Sequence, residues 1–384
     1  MSGALDGVRV IEIAQYVGGP YAGGLLADLG AEVIKIEAPP HGDPYRSWTS
    51  GNYSSTFCSL NRGKKSILLD LRSQGGLEVA LALAKTSDVL IENTRPGVMD
   101  RLGLGYNALH ELSPRLVYCS ITGFGPSGPY VKRPGYDTVG QAMSGLLSLV
   151  TDLDDPKPMG ISLSDHIAGL YAVYAILAGL AARERIGQGQ HVQTSLLQSS
   201  LSFLSENMAR HLDEGGAPPT RETRVRTAGV YAFRDRDGAP FVVHLSTPDK
   251  FWHGVARAMG RPELIDDPRF ATRKDRIQNR EAILDILTPV FATDTRDCWL
   301  ERLQANDVPS ASLYNLEEAA ADPQVQHLGI IQEVSHPDMG PTRIVGSGIS
   351  MDVTPTAIGP APVLGEHTQA ILAELGFPVD WAPA

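Results

Sequence analysis

The first half of the chain alternates short apolar runs with longer, helix-like stretches. Each short run is rich in Val, Ile and Leu and is bounded by glycine, proline or charged residues, as is typical of a strand buried in a sheet. Helix-like stretches at residues 21–29 and 75–85 lie between successive runs. Strands that alternate with helices predict an α/β fold with a parallel, Rossmann-like sheet. The predicted strands are residues 8–13, 32–37, 64–71, 88–93, 116–121 and 190–196.

A longer apolar stretch lies between the fifth and sixth predicted strands. Residues 169–182 contain Gly, Ala, Leu, Ile, Val and Tyr without a charge, which predicts a buried helix that ends near Gly187. Asp165 falls in the first turn of this helix, where free N–H groups and the positive end of the helix dipole favour an ionised carboxylate. Such a carboxylate is a potential nucleophile. The alternative is that Asp165 is an ordinary helix-start residue, a common use of aspartate.

A segment rich in glycine and proline, residues 214–220, separates the first part of the chain from a second part with a different pattern. There, residues 229–233 and 241–245 flank the turn residues 235–238 as the strands of a β-hairpin do, and charged helical stretches follow. The end of the chain mixes short strands with a closing helix that ends at Leu375. We therefore predict a large Rossmann-like domain, a linker, a smaller α+β domain and a return to the large domain, at residues 1–200, 201–220, 221–325 and 326–384 respectively.

Composition disfavours several classes of protein. The chain has 384 residues, 42% of them hydrophobic, so it can bury a large core and is globular. Its formal net charge of −11 disfavours a nucleic-acid or anionic-membrane surface, although a local basic pocket for a phosphorylated ligand is compatible with it. Cys58, Cys119 and Cys298 are widely spaced, which supports neither a disulfide framework nor a zinc site. No apolar run reaches membrane-spanning length and the N-terminus does not resemble an export signal, so we expect a cytoplasmic protein.

The loops after two predicted strands are candidate ligand sites. Glycines follow the first strand, but no Gly-x-Gly-x-x-Gly can be read between Gly18 and Gly30, which disfavours a nicotinamide-dependent dehydrogenase. Those glycines permit a ligand to approach the backbone at a helix N-terminus, or else they serve a tight turn and close packing. After the strand at residues 88–93, Arg95 and Arg101 could pair with phosphate oxygens or could be solvated surface residues.

Several separate motifs occur in a fixed order along nearly the whole chain. They are residues 93–97, 123–129, 136–138, 160–169 around Asp165, 183–189 and 365–368. Together these motifs resemble the class III CoA-transferases, the family of formyl-CoA:oxalate and carnitine CoA-transferases. The resemblance implies a Rossmann-like large domain built from both chain ends, a small domain between them, and a homodimer whose two subunits interlock like links.

The resemblance also implies a reaction. Asp165 falls where the family has its catalytic aspartate. A carboxylate that is already deprotonated at neutral pH can attack a thioester without a general base. Asp165 would accept the acyl group of an acyl-CoA as an anhydride, take up CoA as an aspartyl-CoA thioester, and pass the CoA to an incoming carboxylic acid. The implied function is CoA transfer between an acyl-CoA and a free acid, with CoA as substrate and no ATP, metal or permanently bound cofactor.

The same resemblance implies contacts with CoA. The matching positions lie in the first glycine turn, around the third and fourth strands and in the Tyr-Asp-Thr motif; they are Gln15, Val17, Leu69, Arg72, Asn93, Arg101, Tyr136 and Asp137. Two positions depart from the formyl-CoA enzyme, since Val17 stands where that enzyme has a glutamine and Ala38 where it has a basic residue. Both departures weaken the case for formyl or oxalate chemistry. The tetraglycine loop of that enzyme is also missing, with residues 227–229 near its expected place.

Two other functions and the identity of the acid are left open by the sequence. A 2-methylacyl-CoA racemase shares the fold but needs a His/Asp base pair, whereas this chain has Tyr136-Asp137 where a racemase is expected to have His-Asp. A CoA-binding protein without catalysis is disfavoured only by the candidate nucleophile itself. Arg46, Lys132 and Arg133 could hold the second carboxylate of a dicarboxylic acid, or they could be ordinary solvated residues.

Overall fold

The strands of the chain form one parallel and two antiparallel sheets in the residues that the structure describes. A computed structural model describes residues 3–49, 51, 53–215 and 217–378. Its strands are β1 (Arg9–Ile13), β2 (Glu32–Glu37), β3 (Lys65–Leu68), β4 (Val89–Glu92), β5 (Val117–Thr122), β6 (His191–Ser195), β7 (Val230–Arg234), β8 (Pro240–His244), β9 (Ser310–Ser312), β10 (Ile331–His336) and β11 (Gly340–Val345). The first six pair in parallel in the order β3-β2-β1-β4-β5-β6. The antiparallel sheets are β7-β8-β9 and β10-β11.

Helices connect most of these strands. They are α1 (Gly18–Asp28), α2 (Ser55–Leu60), α3 (Gln74–Lys85), α4 (Val98–Arg101), α5 (Tyr106–Leu112), α6 (Asp137–Met143), α7 (Leu163–Ile186), α8 (Leu196–Phe203), α9 (Ser205–Ala209), α10 (Arg221–Thr227), α11 (Asp249–Ala258), α12 (Arg273–Gln278), α13 (Arg280–Phe291), α14 (Arg296–Ala305), α15 (Leu316–Ala321), α16 (Pro323–Leu328) and α17 (Thr368–Glu374). Short 3₁₀ turns occur at Pro44–Ser47, Leu147–Leu149 and Pro262–Leu264, and a π-helical turn at Arg210–Glu214.

The predicted α/β fold with a parallel sheet is confirmed. β2 has the predicted bounds, whereas β3 is shorter than the predicted strand at residues 64–71 because the chain turns at Asp70, whose carbonyl accepts from the Ser73 N–H. The short strands and the closing helix expected near the end of the chain are β10, β11 and α17. The strand order is that of a doubly wound sheet, and it reverses between β1 and β4. In such sheets ligands bind at the carboxyl ends of the strands beside the reversal.

Alternate residues of the central strands pack into two separate hydrophobic cores, one on each face of the sheet. Cys119 and Ile121 of β5 pack with residues of α1 and α7, whereas the neighbouring Tyr118 packs with residues of α3, α5 and α17. Successive side chains of a strand point to opposite faces of the sheet. Because both faces are covered, the central strands carry apolar residues on both faces.

The long apolar helix is α7. Asp165 lies in its first turn and Gly187, with a φ of 74°, follows its last residue, both as predicted. At 24 residues the helix is longer than the predicted apolar run, and by length and composition alone it could cross a membrane. Its buried side, which includes Ile176, packs in the core with α1 and the sheet. At Gly169, α7 approaches α1 so closely that a Cβ atom would lie 2.8 Å from the carbonyl oxygen of Gly18.

The chain divides into two compact units. One is formed by Met1–Leu147, Pro158–Met208 and His327–Ala384, and the other by Ser148–Lys157 and Ala209–Gln326. The second unit contains the predicted hairpin as β7 and β8, and its core joins Phe241 of the hairpin to Trp252 and Phe291 of the helices. The domain boundaries inferred from composition, including the linker at 201–220, stay predictions.

The sequence after the sixth strand predicts one helix over residues 197–212, and the structure corrects this prediction because the helix is interrupted. It consists of α8, α9 and the π-helical turn. The N–H of Leu204 donates to the carbonyls of both Ser200 and Leu201, so the last turn of α8 tightens and the helix ends there. After the π turn, Gly215 takes a φ of 68° and ends the helical segment.

Candidate active site

A cavity of about 610 Å³ lies at the carboxyl ends of the parallel strands. Its walls come from the loops that follow β1, β3, β4 and β5, from the segment before α6, and from the first turn of α7. These walls include residues 14–18, 69–72, 93–96, 121–125, 133–136 and Asp165. The cavity therefore occupies the place where a doubly wound sheet binds its ligand.

Most of the site residues predicted from the sequence line this cavity. Those that do are Gln15, Val17, Leu69, Arg72, Asn93, Tyr136 and Asp165. Asp137 is next to the cavity, where its carboxylate accepts from the backbone N–H of Asp165. Arg101 lies in α4 and does not line the cavity. The roles assigned to these residues stay predictions.

The N-terminus of α7 is capped by a side chain from another helix. Ser162, at the N-cap position, makes no side-chain cap bond. Instead, the N–H of Asp165 donates to Oδ1 of Asp137 at 3.2 Å, and the N–H of Ser164 also donates to that carboxylate. Asp137 is held in turn by Gln141, whose Nε2 donates to its Oδ2 at 2.5 Å. Two carboxylates thus lie together at the positive end of one helix.

The Asp165 carboxyl is half-buried and lies next to a second acidic group. Burial, and to a smaller extent the carboxylate of Asp137, raises the pKa of Asp165 from 3.8 to about 7. The helix dipole favours the ionised carboxylate, but desolvation and the second carboxylate oppose it, so Asp165 is only partly ionised at neutral pH. Within the described part of the chain, no Lys or Arg forms an ion pair with Asp165. The carboxylate is therefore open to the cavity.

The loop between β1 and α1 is fixed by hydrogen bonds and approaches Asp165. The Asn93 side chain accepts from the Gln15 N–H at 3.0 Å and donates to the Gln15 carbonyl at 2.7 Å. Tyr16 has a φ of 64°, in the left-handed region that residues other than glycine rarely adopt. A Cβ atom on Gly18 would lie 3.8 Å from Oδ1 of Asp165. Glycine at this position leaves the backbone of the loop close to the candidate nucleophile.

A cluster of four aromatic side chains borders the cavity, and the sequence predicted only Tyr136 among them. The ring centroid of Tyr16 lies 5.7 Å from that of Tyr45, 6.5 Å from Trp48 and 6.2 Å from Tyr136, each in an edge-on arrangement. Tyr16 and Tyr136 line the cavity. Tyr136 is 64% exposed, so its ring presents apolar surface to a ligand in the cavity, and Trp48, which does not line the cavity, is 60% exposed. No local pattern marks Tyr45 or Trp48, because it is the fold that brings them next to the β1 loop.

Three arginines line the cavity. Arg72 pairs with the nearby Asp70, and the guanidinium of Arg133 lies 4.6 Å from the centroid of the Tyr130 ring. Arg95 follows β4, as the sequence predicted for a ligand-binding loop. Guanidinium groups form paired hydrogen bonds with phosphate and carboxylate oxygens. The cavity can therefore hold an anionic ligand although the chain as a whole is acidic.

Arg46, one of the candidates for binding a second carboxylate, is not available to a ligand. Its side chain is buried and bonds to Glu37 twice, from Nε to Oε2 at 2.8 Å and from Nη2 to Oε1 at 2.6 Å. That hypothesis is wrong for Arg46, because Glu37 already neutralises the guanidinium. Lys132 does not line the cavity, so Arg133 is the only one of the three candidates that does.

The chain belongs to CoA-transferase family III, whose family description matches residues 5–368, and it is therefore a CoA-transferase. Succinyl-CoA:glutarate CoA-transferase of Mus musculus is 35% identical over 97% of this chain and 86% of its own length. Acetyl-CoA:oxalate CoA-transferase of Acetobacter aceti is 38% identical over 84% of each chain. A crystal structure of a CAIB/BAIF family protein from Brucella suis superimposes with a TM-score of 0.87 and 33% identity, over 98% of this chain and 100% of the other. The resemblance inferred from the motifs is confirmed.

Proposed function

We propose that this CoA-transferase moves CoA from an acyl-CoA to a free carboxylic acid with Asp165 as its nucleophile. One observation carries the proposal: the Asp165 carboxylate lines a cavity of about 610 Å³ and lacks a cationic partner among the described residues. A carboxylate buried for structural reasons is normally paired with a cation. The three cavity arginines, Arg72, Arg95 and Arg133, supply charge for the phosphates of CoA.

The proposed reaction is a series of acyl transfers. An oxygen of Asp165 attacks the thioester carbonyl and the C–S bond breaks, which gives an aspartyl–acyl anhydride and CoA thiolate. The thiolate attacks the aspartyl carbonyl of the anhydride, which releases the first acid as its carboxylate and leaves an aspartyl-CoA thioester. The carboxylate of the second acid attacks the aspartyl carbonyl of this thioester, which breaks the C–S bond, frees the thiolate and forms a second aspartyl–acyl anhydride. The thiolate then attacks the carbonyl of the second acid, which gives the new acyl-CoA and regenerates the Asp165 carboxylate.

The environment of Asp165 suits this sequence of steps. No step consumes or releases a proton, so the reaction needs the ionised carboxylate but no proton shuttle. With a pKa raised by burial and by Asp137 to about 7, Asp165 populates both the protonated and the ionised form near neutral pH. The same burial limits the access of water, which would otherwise hydrolyse the anhydride and the thioester.

We infer that the acid is small, and the names of the relatives guide the choice of acids to test. The two relatives described above are named for glutarate and oxalate. We propose Arg133, which lines the cavity on the segment that carries Tyr136, as a cation for the second carboxylate of such an acid. A panel of donors should therefore include acetyl-CoA and succinyl-CoA, with mono- and dicarboxylic acids as acceptors.

The test is transfer activity together with trapping of the adduct on Asp165. Wild-type protein mixed with an active acyl-CoA should acquire a CoA-containing adduct on the Asp165 peptide, detected by mass spectrometry. Asp165→Asn preserves the size of the side chain but removes the nucleophile, so we expect loss of the adduct and a fall in kcat of about 10³-fold or more. An Asp165→Asn variant with full transfer activity would overturn the proposal.

The two alternative functions give different results in the same experiment. A racemase would exchange the α-proton of its acyl-CoA with deuterated water in the absence of an acid acceptor. No histidine occurs among the described residues that line the cavity, which disfavours that chemistry. A CoA-binding protein without catalysis would bind acyl-CoA but form neither the adduct nor a new thioester.

We also propose the homodimer and the cytoplasmic location that the resemblance and the sequence imply. Exposed apolar residues on α7 and α8 support a second copy as partner: Leu170 is 51%, Tyr174 71% and Phe203 58% exposed. Such residues are typical of surfaces that another chain covers. Light scattering coupled to size-exclusion chromatography should give twice the chain mass, and a monomer mass at micromolar concentration would contradict the dimer.

A further inference from the structure

We propose that Asp43 and Lys35 are positioning residues of the candidate active site, which hold Tyr16 in its left-handed backbone conformation and so fix the aromatic cluster of Tyr16, Tyr45, Trp48 and Tyr136. The inference rests on the proposed function, because it assigns these residues to the same cavity. Neither Asp43 nor Lys35 lines the cavity, so both act through the backbone of the β1 loop.

The backbone of Tyr16 is strained where the ring meets the cavity. Its φ of 64° brings the Cβ atom close to the backbone, which residues other than glycine tolerate only when the surrounding structure holds them. The described residues include two other non-glycine residues with positive φ, Ser246 and Asp307, and neither lines the cavity. Strain of this kind is concentrated at functional sites.

A buried ionic network contacts the backbone around Tyr16. Oδ1 of Asp43 accepts from the N–H of Tyr16 at 3.2 Å and from the N–H of Tyr45 at 3.0 Å. Its Oδ2 lies 2.9 Å from Nζ of Lys35, and the same Nζ donates to the carbonyl of Ala14 at 2.7 Å. Asp43 thus bonds directly to two members of the aromatic cluster, while Lys35 ties Asp43 to the residue two positions before Tyr16.

The network extends under the whole loop through Glu12. Oε1 of Glu12 accepts from Lys35 at 2.8 Å, and Oε2 accepts from Lys64 at 2.6 Å. Lys64 also donates to the carbonyl of Pro20, at 2.7 Å, in the first turn of α1. The side chains of Glu12, Lys35, Lys64 and Asp43 are all fully buried. Gly23 is part of this arrangement, because a Cβ atom there would lie only 1.9 Å from the Glu12 carboxylate.

The carboxylates of this network stabilise the charged form of its lysines. Burial alone would lower the pKa of Lys35, but the carboxylates of Asp43, Glu12 and Glu37 raise it above its ordinary value. Burial lowers the pKa of Lys64 to about 8, against the opposing effect of Glu12. Buried ion pairs are often no more stabilising than well-packed apolar residues would be, so stability alone does not account for them. A role in fixing one backbone geometry accounts for their place beneath this loop.

The geometry matters because the aromatic cluster borders the cavity that holds Asp165. The ring of Tyr16 meets three other rings edge-on, so a change in its backbone displaces the whole cluster. An acyl-CoA whose carbonyl is displaced by about 1 Å from the nucleophile reacts on the order of 10²-fold more slowly. Loss of the network should therefore lower kcat more than it raises KM.

The test is a double-mutant cycle between Asp43 and Tyr16. Asp43→Asn keeps an oxygen for the two N–H groups but places an amide against Lys35, and we expect kcat to fall by about 10- to 100-fold. Tyr16→Gly adopts a positive φ without help from its surroundings. In the Tyr16→Gly background, Asp43→Asn should therefore lose most of its effect on kcat. An equal fall of kcat in both backgrounds, or an unchanged kcat with a lower Tm, would overturn the proposal.

Asp28→Asn is the matched control. Asp28 is as buried as Asp43, with 2% exposure for each, and it bonds to Arg62 in an ion pair that does not touch the β1 loop. We expect Asp28→Asn to lower the Tm while kcat stays within about twofold of wild type. If Asp28→Asn lowered kcat as much as Asp43→Asn does, the effect would be general destabilisation and the positioning role would be excluded.

Two readouts do not depend on turnover. Amide exchange of the peptide containing Tyr16 should accelerate in Asp43→Asn but not in Asp28→Asn. Tyr16→Gly should have a higher Tm than Tyr16→Ala, against the usual order, because alanine keeps the strain of a positive φ and glycine does not. Absence of both differences would overturn the inference even if Asp43→Asn does not fold. If wild type forms no CoA adduct, the proposed function fails, and these readouts still decide the positioning of Tyr16.

Discussion

The acidic side chain beside the candidate nucleophile offers a direct test of how Asp165 is tuned. Asp137 accepts from the N–H groups of Asp165 and Ser164, and its charge opposes ionisation of the Asp165 carboxyl. Asp137→Asn removes that charge and keeps an oxygen for the two N–H groups. We therefore expect the variant to retain the start of α7 while the Asp165 carboxyl ionises at lower pH.

The size of the effect follows from the causes of the raised pKa. The pKa of Asp165 rises from 3.8 to about 7, and burial accounts for the larger part of this rise. The charge on Asp137 accounts for the smaller part, so removing it should lower the pKa by about 1, which corresponds to about 1.4 kcal/mol. At a pH well below both pKa values, the ionised fraction and the rate should then be about 10-fold higher than in wild type.

The assay is kcat/KM for the acyl-CoA from about pH 5 to about pH 9, because its acid limb reports the ionisation of the free enzyme. Wild type should lose activity as pH falls through about 7, and Asp137→Asn should lose it at a pH about 1 lower. Asp88→Asn is the control, since Asp88 pairs with Arg183 at the opposite end of α7. An acid limb that stays in place in Asp137→Asn, or that moves equally in Asp88→Asn, would refute the reasoning.

Protein stability gives a second readout of the same pKa. Because the pKa of Asp165 is higher in the folded protein than its ordinary value of 3.8, its contribution to stability is fully present below 3.8 and is lost as pH rises through about 7. Asp165→Asn has no such loss. Between about pH 4 and pH 8, the free energy of unfolding of wild type should fall relative to that of Asp165→Asn by about 4 kcal/mol, measured by urea denaturation. Parallel pH profiles would contradict the raised pKa.

Three further substitutions test separate parts of the structure. Arg46→Met leaves the buried Glu37 without the guanidinium that pairs with it. We expect the free energy of unfolding, measured by urea denaturation, to fall by about 3–5 kcal/mol while KM for the acid is unchanged. A raised KM at unchanged stability would instead place Arg46 in acid binding. Gly169→Ala puts a Cβ atom 2.8 Å from the carbonyl oxygen of Gly18, which should push α1 and α7 apart and lower the free energy of unfolding by about 1–3 kcal/mol. An unchanged Tm would contradict this close approach. Arg133→Ala should raise KM for the acyl-CoA about 10-fold at constant kcat, whereas a fall in kcat alone would show that Arg133 acts on the reacting groups.

The elements of the large sheet could be predicted because their signals are local. Strands buried on both faces are rich in Val, Ile and Leu, and the predicted strand at residues 32–37 is β2 with the same bounds. The order in which strands pair and the shared face of α1 and α7 could not be predicted in this way. Both depend on contacts between residues far apart in the chain, such as the approach of Gly169 to Gly18. The break in the helix at Leu204 was missed because no proline or glycine marks it.

Only the residues of the candidate site that belong to recognisable sequence motifs could be predicted. Asp165 stands out because it begins a long apolar helix, and Asn93 and Tyr136 belong to motifs that resemble those of a known family. The pKa of Asp165 was not predictable, because it is raised by burial in the fold and, to a smaller extent, by the charge of Asp137, which lies 28 positions earlier. Arg46 was misplaced for the same reason, since a basic residue in a loop gives no sign that Glu37 buries and neutralises it.

Glu12, Glu37 and Asp43 differ from Asp165 in the groups that surround their carboxylates. Glu12 and Asp43 each contact a lysine, Glu37 contacts Arg46, and all three acids belong to buried networks that hold backbone in place. Asp165 is opposed instead by another carboxylate and has no cation of its own among the described residues. A paired carboxylate is a weak nucleophile because the cation holds its charge, whereas an unpaired one in a partly dry cavity keeps its electrons available for a thioester. The difference explains why only one of the four is a candidate for catalysis although all lie at the same end of the sheet.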